Sequence, residues 1–97
     1  MLKCDKLSVE RSNSFLYPIR VNKEEFLQKL GINLAKIRKK KGVTQEKLAS
    51  LTDLHRTYIG FIEQGKRNPA AWNLYKISVV LEVDMKDLFS PFESNHK

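Results

Sequence analysis

The segment TQEKLASLTDLHRTYIGFIEQGKRNP, residues 44–69, predicts two short helices joined by a tight turn. Thr44 is a good N-cap residue, and good helix formers follow it. Leu48 and Leu51 lie three positions apart and therefore share one face of the first helix. The polar residues 52–53 then break the apolar pattern, so the first helix is expected to end there.

Helical spacing resumes over residues 56–64, where Ile59 and Ile62 share a face. Gly65 is a stop signal, and Pro69 prevents continuation of the helix. Helices this short are not stable alone, so they need a crossed partner and a supporting core. The predicted arrangement is a helix-turn-helix, whose second helix is able to enter the major groove of DNA.

The same segment carries the marker residues of a known family. It resembles the Cro/repressor-type (xenobiotic-response-element) helix-turn-helix family, whose marker positions hold Gln45, Leu48, Ala49, Leu54, Ile59, Ile62, Glu63 and Gly65. The stretch LHRTYIGFIEQGKRNP is similar in particular to the controller proteins of restriction–modification systems. The similarity covers roughly residues 32–89. It implies an all-α, five-helix, lambda-repressor-like DNA-binding domain preceded by an N-terminal extension.

The composition fits one small globular domain, with 97 residues of which 41% are hydrophobic. The apolar runs are too short for a transmembrane helix, and the amino terminus shows no signal peptide. Cys4 is the only cysteine, so an internal disulfide is impossible and no Cys/His cluster has metal-site spacing. We therefore expect a cytoplasmic protein without a cofactor or a metal ion.

The net charge of +7 favours a polyanionic partner, which the motif identifies as double-stranded DNA. The charge is uneven, because residues 23–42 carry +5 whereas residues 70–97 carry −1. The end of the first predicted helix holds five basic residues, Lys36, Arg38, Lys39, Lys40 and Lys41. These side chains either complement the helix dipole or also attract phosphate. The acidic carboxyl-terminal end is not expected to face phosphates.

Residues 1–21 form a predicted extension, distinct from the DNA-binding and dimerisation domain at residues 22–92 and from a tail at residues 93–97. Three interpretations of the extension stay open. It is a flexible or loosely docked segment, an arm in which Lys6 or Arg20 follows the DNA, or an apolar segment that packs on the domain or on a second subunit.

The family resemblance implies that Arg38 pairs with Glu63, late in the second helix of the motif. The residue pattern agrees with a structural role, because Glu63 directly follows Ile62 on a helix that must pack against the domain. Loss of either partner is expected to leave a partly buried charge and to destabilise the fold strongly.

Base reading is expected at the amino-terminal end of the second helix. Arg56 is the leading candidate, since a guanidinium can bind guanine O6 and N7, with a phosphate clamp as the alternative. Thr57 offers a hydroxyl to a base or a phosphate, or a methyl group to thymine. Phe61 stands where the resemblance implies a groove-facing residue, and it either touches thymine methyl groups or packs.

Phosphate contacts are expected from both helices of the motif and from the loop that follows them. The predicted set is Thr44, Gln45, His55, Tyr58, Gln64, Lys66, Arg67 and Asn68. Tyr58 is either a contact through its hydroxyl or a half-buried packing aromatic. His55 is either a substitute N-cap or a phosphate neighbour. The loop is either a phosphate-binding segment, as the resemblance implies, or an ordinary solvated turn.

The helix after Pro69 is apolar on more than one side, so we expect it to be buried on two sides. The resemblance implies dimerisation through this helix and the last one, whereas the alternative is completion of the monomer core. The predicted homodimer interface is Val79, Met85, Leu88, Phe89 and Phe92. A twofold dimer would place two recognition helices about 34–36 Å apart, on a palindrome-like operator.

The motif supports sequence-specific DNA binding, whereas control of a restriction–modification system, including its own gene, is implied only by the resemblance. The alternative function is an antitoxin-like or phage-type repressor that also binds a protein partner. An enzyme is not expected, because the sequence lacks an acidic metal cluster and a Cys/His arrangement. No small-molecule effector is evident.

Overall fold

The structure, a computed structural model, describes residues 22–89, and within that range every regular element is helical. The elements are α1 (Lys23–Lys40), α2 (Gln45–Thr52), α3 (Arg56–Glu63), α4 (Ala71–Leu81) and a 3-10 helix, η1 (Met85–Phe89). The all-α prediction is confirmed, and the fifth expected helix is a single short 3-10 segment, a geometry that suits pieces of this length. The predictions for residues 1–21, Phe92 and residues 93–97 lie outside the described residues.

Side-chain caps set the starts of α1 and α2. The Asn22 side chain accepts a hydrogen bond from the Glu25 amide at 2.7 Å, and the Thr44 hydroxyl accepts one from the Lys47 amide at 3.0 Å. Each bond satisfies one of the amide groups that a helix start leaves without an intrahelical partner. Gly42, with φ of 74°, allows the chain to turn between α1 and α2.

The core receives side chains from all five elements. Its fully buried members are Leu30, Leu34, Leu48, Ile59, Ile62, Ile77, Leu81 and Leu88. Full burial of each such side chain contributes on the order of 1.5–3 kcal/mol, so the two helices of the motif are stabilised by this shared core. The assignment of Leu88 to a dimer interface is wrong, because η1 directs this side chain into the core of its own chain.

A glycine allows α1 and α3 to cross closely. A Cβ atom added to Gly31 would lie 2.5 Å from the carbonyl oxygen of Glu63 and nearer still to that of Ile62. Only a residue without a side chain fits there, because the neighbouring atoms belong to the α3 backbone and not to a flexible side chain. Gly31 therefore determines how closely α3 packs against α1.

The 3-10 helix is fastened to α1 by a single amide and by ring stacking. The Asn33 side-chain amide donates to the backbone carbonyls of Asp87 and Leu88, both at 2.8 Å. The rings of Phe26 and Phe89 stack with their centroids 6.1 Å apart. These contacts hold Phe89, a predicted interface residue, half-buried against its own chain.

None of the helices within residues 22–89 combines the length and the apolar character that crossing a membrane requires.

Candidate nucleic-acid interface

Helix α3 has one buried face and one exposed edge. Ile59, Gly60 and Ile62 are buried, whereas Arg56 and Thr57, at its amino-terminal end, are exposed. The two predicted base readers therefore lie on the solvent side of a helix whose other side packs on the core. A helix held in this way presents its leading edge to a partner without having to rearrange.

A buried ion pair fixes the carboxyl-terminal end of α3. Arg38 Nε donates to Glu63 Oε2 at 2.6 Å and Arg38 Nη2 donates to Glu63 Oε1 at 3.0 Å, a two-bond geometry. The two side chains are only 9% and 7% exposed. Arg38 Nη1 also donates to the carbonyl of Val43 at 2.8 Å, which ties the α1–α2 turn to the same cluster.

Gln45 extends this cluster to α2. Its side-chain amide donates to Glu63 Oε1 at 2.9 Å, so the start of α2 and the end of α3 share one carboxylate. Gln45 was predicted as a phosphate contact, and its side chain is half-buried at the mouth of a depression that Thr44 and Arg56 also line. The bond to Glu63 holds Gln45 beside those two exposed residues.

The exposed Arg56 side chain has one acidic neighbour on α2. Its Nε lies 4.0 Å from Oε2 of Glu46, and the two side chains are 59% and 80% exposed. An ion pair this exposed contributes little to stability, so Arg56 is available to exchange Glu46 for another partner. Thr57 is exposed beside it.

His55 occupies the N-cap position of α3, but its side chain makes no capping hydrogen bond. The hypothesis that it substitutes for a capping serine or threonine is therefore wrong. The imidazole is exposed, with φ of −76° and ψ of 143° at this residue, and the α3 start lacks the side-chain acceptor that α1 and α2 have. His55 stays a predicted phosphate neighbour.

Tyr58 is half-buried and is held by residues outside the motif. The side-chain amide of Asn73, the third residue of α4, donates to the Tyr58 hydroxyl at 3.0 Å. The Arg67 guanidinium carbon lies 6.0 Å from the centroid of the Tyr58 ring, within the range of a cation–π contact. Asn73 did not figure among the predicted site residues, because no local spacing links positions fifteen apart across a loop.

An open groove brings several predicted residues together. Its lining includes His55, Thr57, Tyr58, Phe61 and Arg67. Phe61 is half-buried there, while Gln64, Lys66, Arg67 and Asn68 are exposed in the loop that follows α3. The groove thus combines two base-reading candidates, Thr57 and Phe61, with an aromatic wall and basic side chains, a mixture suited to a nucleic-acid backbone and its bases, although Asp53 also lines it.

Four of the five basic residues at the end of α1 are exposed, whereas Arg38 is buried in its ion pair. Lys40 and Lys41 line a depression beside η1 that also includes Asp87. This depression shares no lining residue with the groove along α3. We therefore expect these two lysines to contribute to the overall electrostatic field of the protein. In the described part of the chain, no group of three or more His, Cys, Asp or Glu side chains is placed to hold a metal ion.

One face of α4 is apolar and exposed. Trp72, Tyr75 and Val79, at three- and four-residue spacing, are 64%, 50% and 54% exposed, while Leu74, Ile77 and Leu81 on the other face are buried. We call these three exposed residues the α4 stripe. Burial of α4 on two sides is therefore not achieved within one chain. Trp72 and Tyr75, whose rings stack with centroids 5.9 Å apart, were missing from the predicted interface.

Comparison with known proteins identifies a matching family and several sequence relatives of this chain. The helix-turn-helix family model (HTH_3) matches residues 34–88. Control protein C.MunI from Mycoplasma sp is 46% identical over 66 residues, covering 67% of this chain and 89% of the relative. Control protein C.BamHI from Bacillus amyloliquefaciens is 55% identical over 49 residues, covering 50% of this chain and 60% of the relative.

Solved structures agree with these sequence relatives. The restriction–modification controller protein C.AhdI from Aeromonas hydrophila superposes with a TM-score of 0.63 at 39% identity. The superposition covers 64% of this chain and 94% of that one. The similarity therefore extends over nearly all of the solved protein.

Proposed function

The chain belongs to the HTH_3 helix-turn-helix family of DNA-binding regulators, and we propose that it controls a restriction–modification system, including its own gene, as a homodimer. Regulators of this family bind double-stranded DNA. The predicted resemblance to the helix-turn-helix family and its controller proteins is confirmed. The relatives that are control proteins of restriction–modification systems support the more specific role. One observation carries the proposal for this chain. The amino-terminal end of α3 is exposed, while its carboxyl-terminal end is held by the ion pair between Glu63 and Arg38.

In the proposed complex, α3 enters the major groove with Arg56 and Thr57 on base edges. Arg56 binds guanine, exchanging its loose contact with Glu46 for two hydrogen bonds that discriminate by about 1–3 kcal/mol. Phe61 lies farther along the same helix and meets thymine methyl groups from its half-buried position.

The proposed phosphate contacts surround this helix. The α2 amino terminus offers amide groups and the positive end of its dipole, with Thr44 and Gln45 at its start. The groove and the loop after α3 add His55, Tyr58, Gln64, Lys66, Arg67 and Asn68. Neutralising phosphates releases counterions, so affinity should fall steeply as the salt concentration rises.

The proposed dimer buries the α4 stripe against its copy, together with half-buried Met85 and Phe89 at the edge of η1. The stripe exposes three large apolar side chains in a row, and burial would recover free energy from each of them. The acidic residues of this part of the chain, which begin at Glu82, keep its carboxyl-terminal end away from DNA. Two copies related by a twofold axis would read a palindrome-like operator.

Such a dimer would act through occupancy of sites upstream of its own gene and an endonuclease gene. In the proposed scheme, low occupancy activates transcription and higher occupancy represses it. The endonuclease would then appear only after a delay. This scheme rests on the relatives and not on a feature of the helices.

The test is footprinting of the DNA that flanks the gene at several protein concentrations, followed by binding measurements on the protected duplex and on an unrelated duplex. Arg56→Ala should weaken binding to the protected duplex far more than binding to the unrelated one, with the fold intact. Lys66→Ala is the matched control, which should weaken both and reduce the salt slope by about one unit. The absence of a protected site, or equal losses on both duplexes for Arg56→Ala, would contradict the proposed reading.

A further inference from the structure

We propose that Asn73 is a positioning residue that fixes the Tyr58 hydroxyl as a hydrogen-bond donor to DNA. The inference rests on the proposed DNA-binding function. It specifies that, in one contact of that interface, the protein group is the hydrogen-bond donor. It brings into the site a residue of α4, a helix that otherwise builds the core and the α4 stripe.

The geometry of the hydroxyl is the starting point. The Asn73 side-chain nitrogen lies 3.0 Å from the Tyr58 hydroxyl oxygen and donates to it. A tyrosine hydroxyl has one hydrogen and two acceptor lone pairs, so the amide occupies one lone pair and leaves the hydrogen unused. The Tyr58 ring is half-buried, which restricts the directions in which that hydrogen can point.

No protein acceptor takes the hydrogen within residues 22–89. The Arg67 guanidinium, whose carbon lies 6.0 Å from the ring centroid, carries donors only, and the bond from Asn73 is the one hydrogen bond that the hydroxyl makes in this range. The hydroxyl hydrogen is therefore available to an acceptor from outside the chain. DNA is rich in such acceptors, because phosphate oxygens, guanine O6 and N7, and thymine O4 all accept hydrogen bonds.

The position of the trio agrees with that partner. Tyr58, Arg67 and Asn73 line the same open groove as Thr57 and Phe61, which lie on the proposed DNA-facing side of α3. Arg67 adds a positive charge over the Tyr58 ring, which favours an anionic or electron-rich acceptor nearby, although Asp53 also lines the groove. Asn73 is half-buried and its side-chain amide donates to the Tyr58 hydroxyl, so we assign its effect to the direction of that hydroxyl.

A double-mutant cycle tests this arrangement with the full-length chain on the footprinted duplex. Tyr58→Phe removes the donor and should weaken binding by up to about ten-fold, because a hydrogen bond to the DNA is lost. Asn73→Ala frees the hydroxyl to turn away from the DNA and should weaken binding about three- to ten-fold. In the Tyr58→Phe background, Asn73→Ala should change the affinity by less than about two-fold, since no hydroxyl is left to direct.

Asn73→Asp gives a sharper version of the same test. Its carboxylate accepts the hydroxyl hydrogen and so removes it from the DNA, and it also adds one negative charge to the interface. The added charge acts equally with and without the hydroxyl. The loss should therefore be at least about three-fold larger in the Tyr58 protein than in the Tyr58→Phe protein.

Asn33→Ala is the matched control, because Asn33 is also an amide that donates between elements but it contacts η1 and not Tyr58. Its effect on DNA binding should be the same with and without the Tyr58 hydroxyl. Thermal unfolding of every variant separates lost stability from lost binding. A loss on both the footprinted and the unrelated duplex identifies a phosphate acceptor, whereas a loss on the footprinted duplex alone identifies a base.

Equal effects of Asn73→Ala in the two backgrounds, or no effect in either, would overturn this inference while leaving the proposed function intact. A wild-type protein that binds no duplex selectively would overturn the proposed function, and the inference with it.

Discussion

Replacing Gly31 with alanine should destabilise the protein, although alanine is the better helix former. In the interior of α1 the exchange alone is worth up to about 1 kcal/mol in favour of alanine. The new Cβ would, however, lie 2.5 Å from the carbonyl oxygen and 2.7 Å from the carbonyl carbon of Glu63. These atoms belong to the α3 backbone, so relief requires movement of the whole helix and not a change of rotamer.

The expected magnitude follows from these opposing terms. Inserting a methyl group into a well-packed site typically costs about 1–3 kcal/mol, and a clash with backbone atoms belongs at the upper end of that range. After the gain in helix propensity, Gly31→Ala should lower the free energy of unfolding by about 2 kcal/mol. For a domain of this size, the midpoint of thermal unfolding should fall by about 10 °C.

Gly60→Ala is the matched control, because Gly60 is also buried inside a helix. A Cβ atom there would meet only the Gln45 side chain, at 3.8–3.9 Å, which is ordinary contact distance. This variant should gain up to about 1 kcal/mol. Both variants should be compared with wild type by urea unfolding at one protomer concentration, since the proposed dimerisation would make the apparent stability concentration-dependent.

The decisive outcome is that Gly31→Ala lowers the free energy of unfolding whereas Gly60→Ala raises it. If Gly31→Ala were as stable as Gly60→Ala, the close crossing of α1 and α3 would be refuted. Because α3 is proposed to hold the base readers, Gly31→Ala should also weaken DNA binding at temperatures where the variant is fully folded.

Three further predictions concern the ion pair, a cap and the proposed dimer. Glu63→Gln should cost about 3–5 kcal/mol in urea unfolding because it leaves the Arg38 charge buried without its counter-charge, and an unchanged midpoint would refute the pair's structural role. Thr44→Ala removes the acceptor of the Lys47 amide and should lower stability by about 1 kcal/mol, whereas no loss of thermal stability would show that the cap contributes nothing. Val79→Glu should shift sedimentation equilibrium towards the monomer with the helical circular dichroism signal unchanged, and a persistent dimer would place the interface elsewhere.

The helices of the domain could be predicted from the sequence because their signals are local. Apolar spacing, the capping residues Asn22 and Thr44, and the stop at Gly65 each act within a turn or two of the chain. The family resemblance then supplied the partner of Arg38, which periodicity alone does not identify. The same local signals placed Arg56 and Thr57 on the amino-terminal end of α3, where the structure leaves them exposed.

The contacts between elements could not be predicted in this way. From the sequence alone Gly31 only lowers the helix propensity of α1, since nothing nearby in the chain reveals the α3 backbone against it. Leu88 resembled its apolar neighbours, and its burial depends on how η1 packs against α1, where Asn33 donates to the η1 backbone. The bond from Asn73 to Tyr58 likewise depends on how α4 packs beside α3.

The division of α3 into a clamped face and an open edge has a consequence for how such a protein changes over evolutionary time. The groups that hold α3 in place, centred on Glu63 and Ile59, lie on its inner side, while Arg56 and Thr57 face solvent and contribute little to the fold. If these two residues read the operator as proposed, substitutions at their positions would alter the preferred operator at little cost to folding. A lineage could drift from one operator to another while keeping the same scaffold throughout.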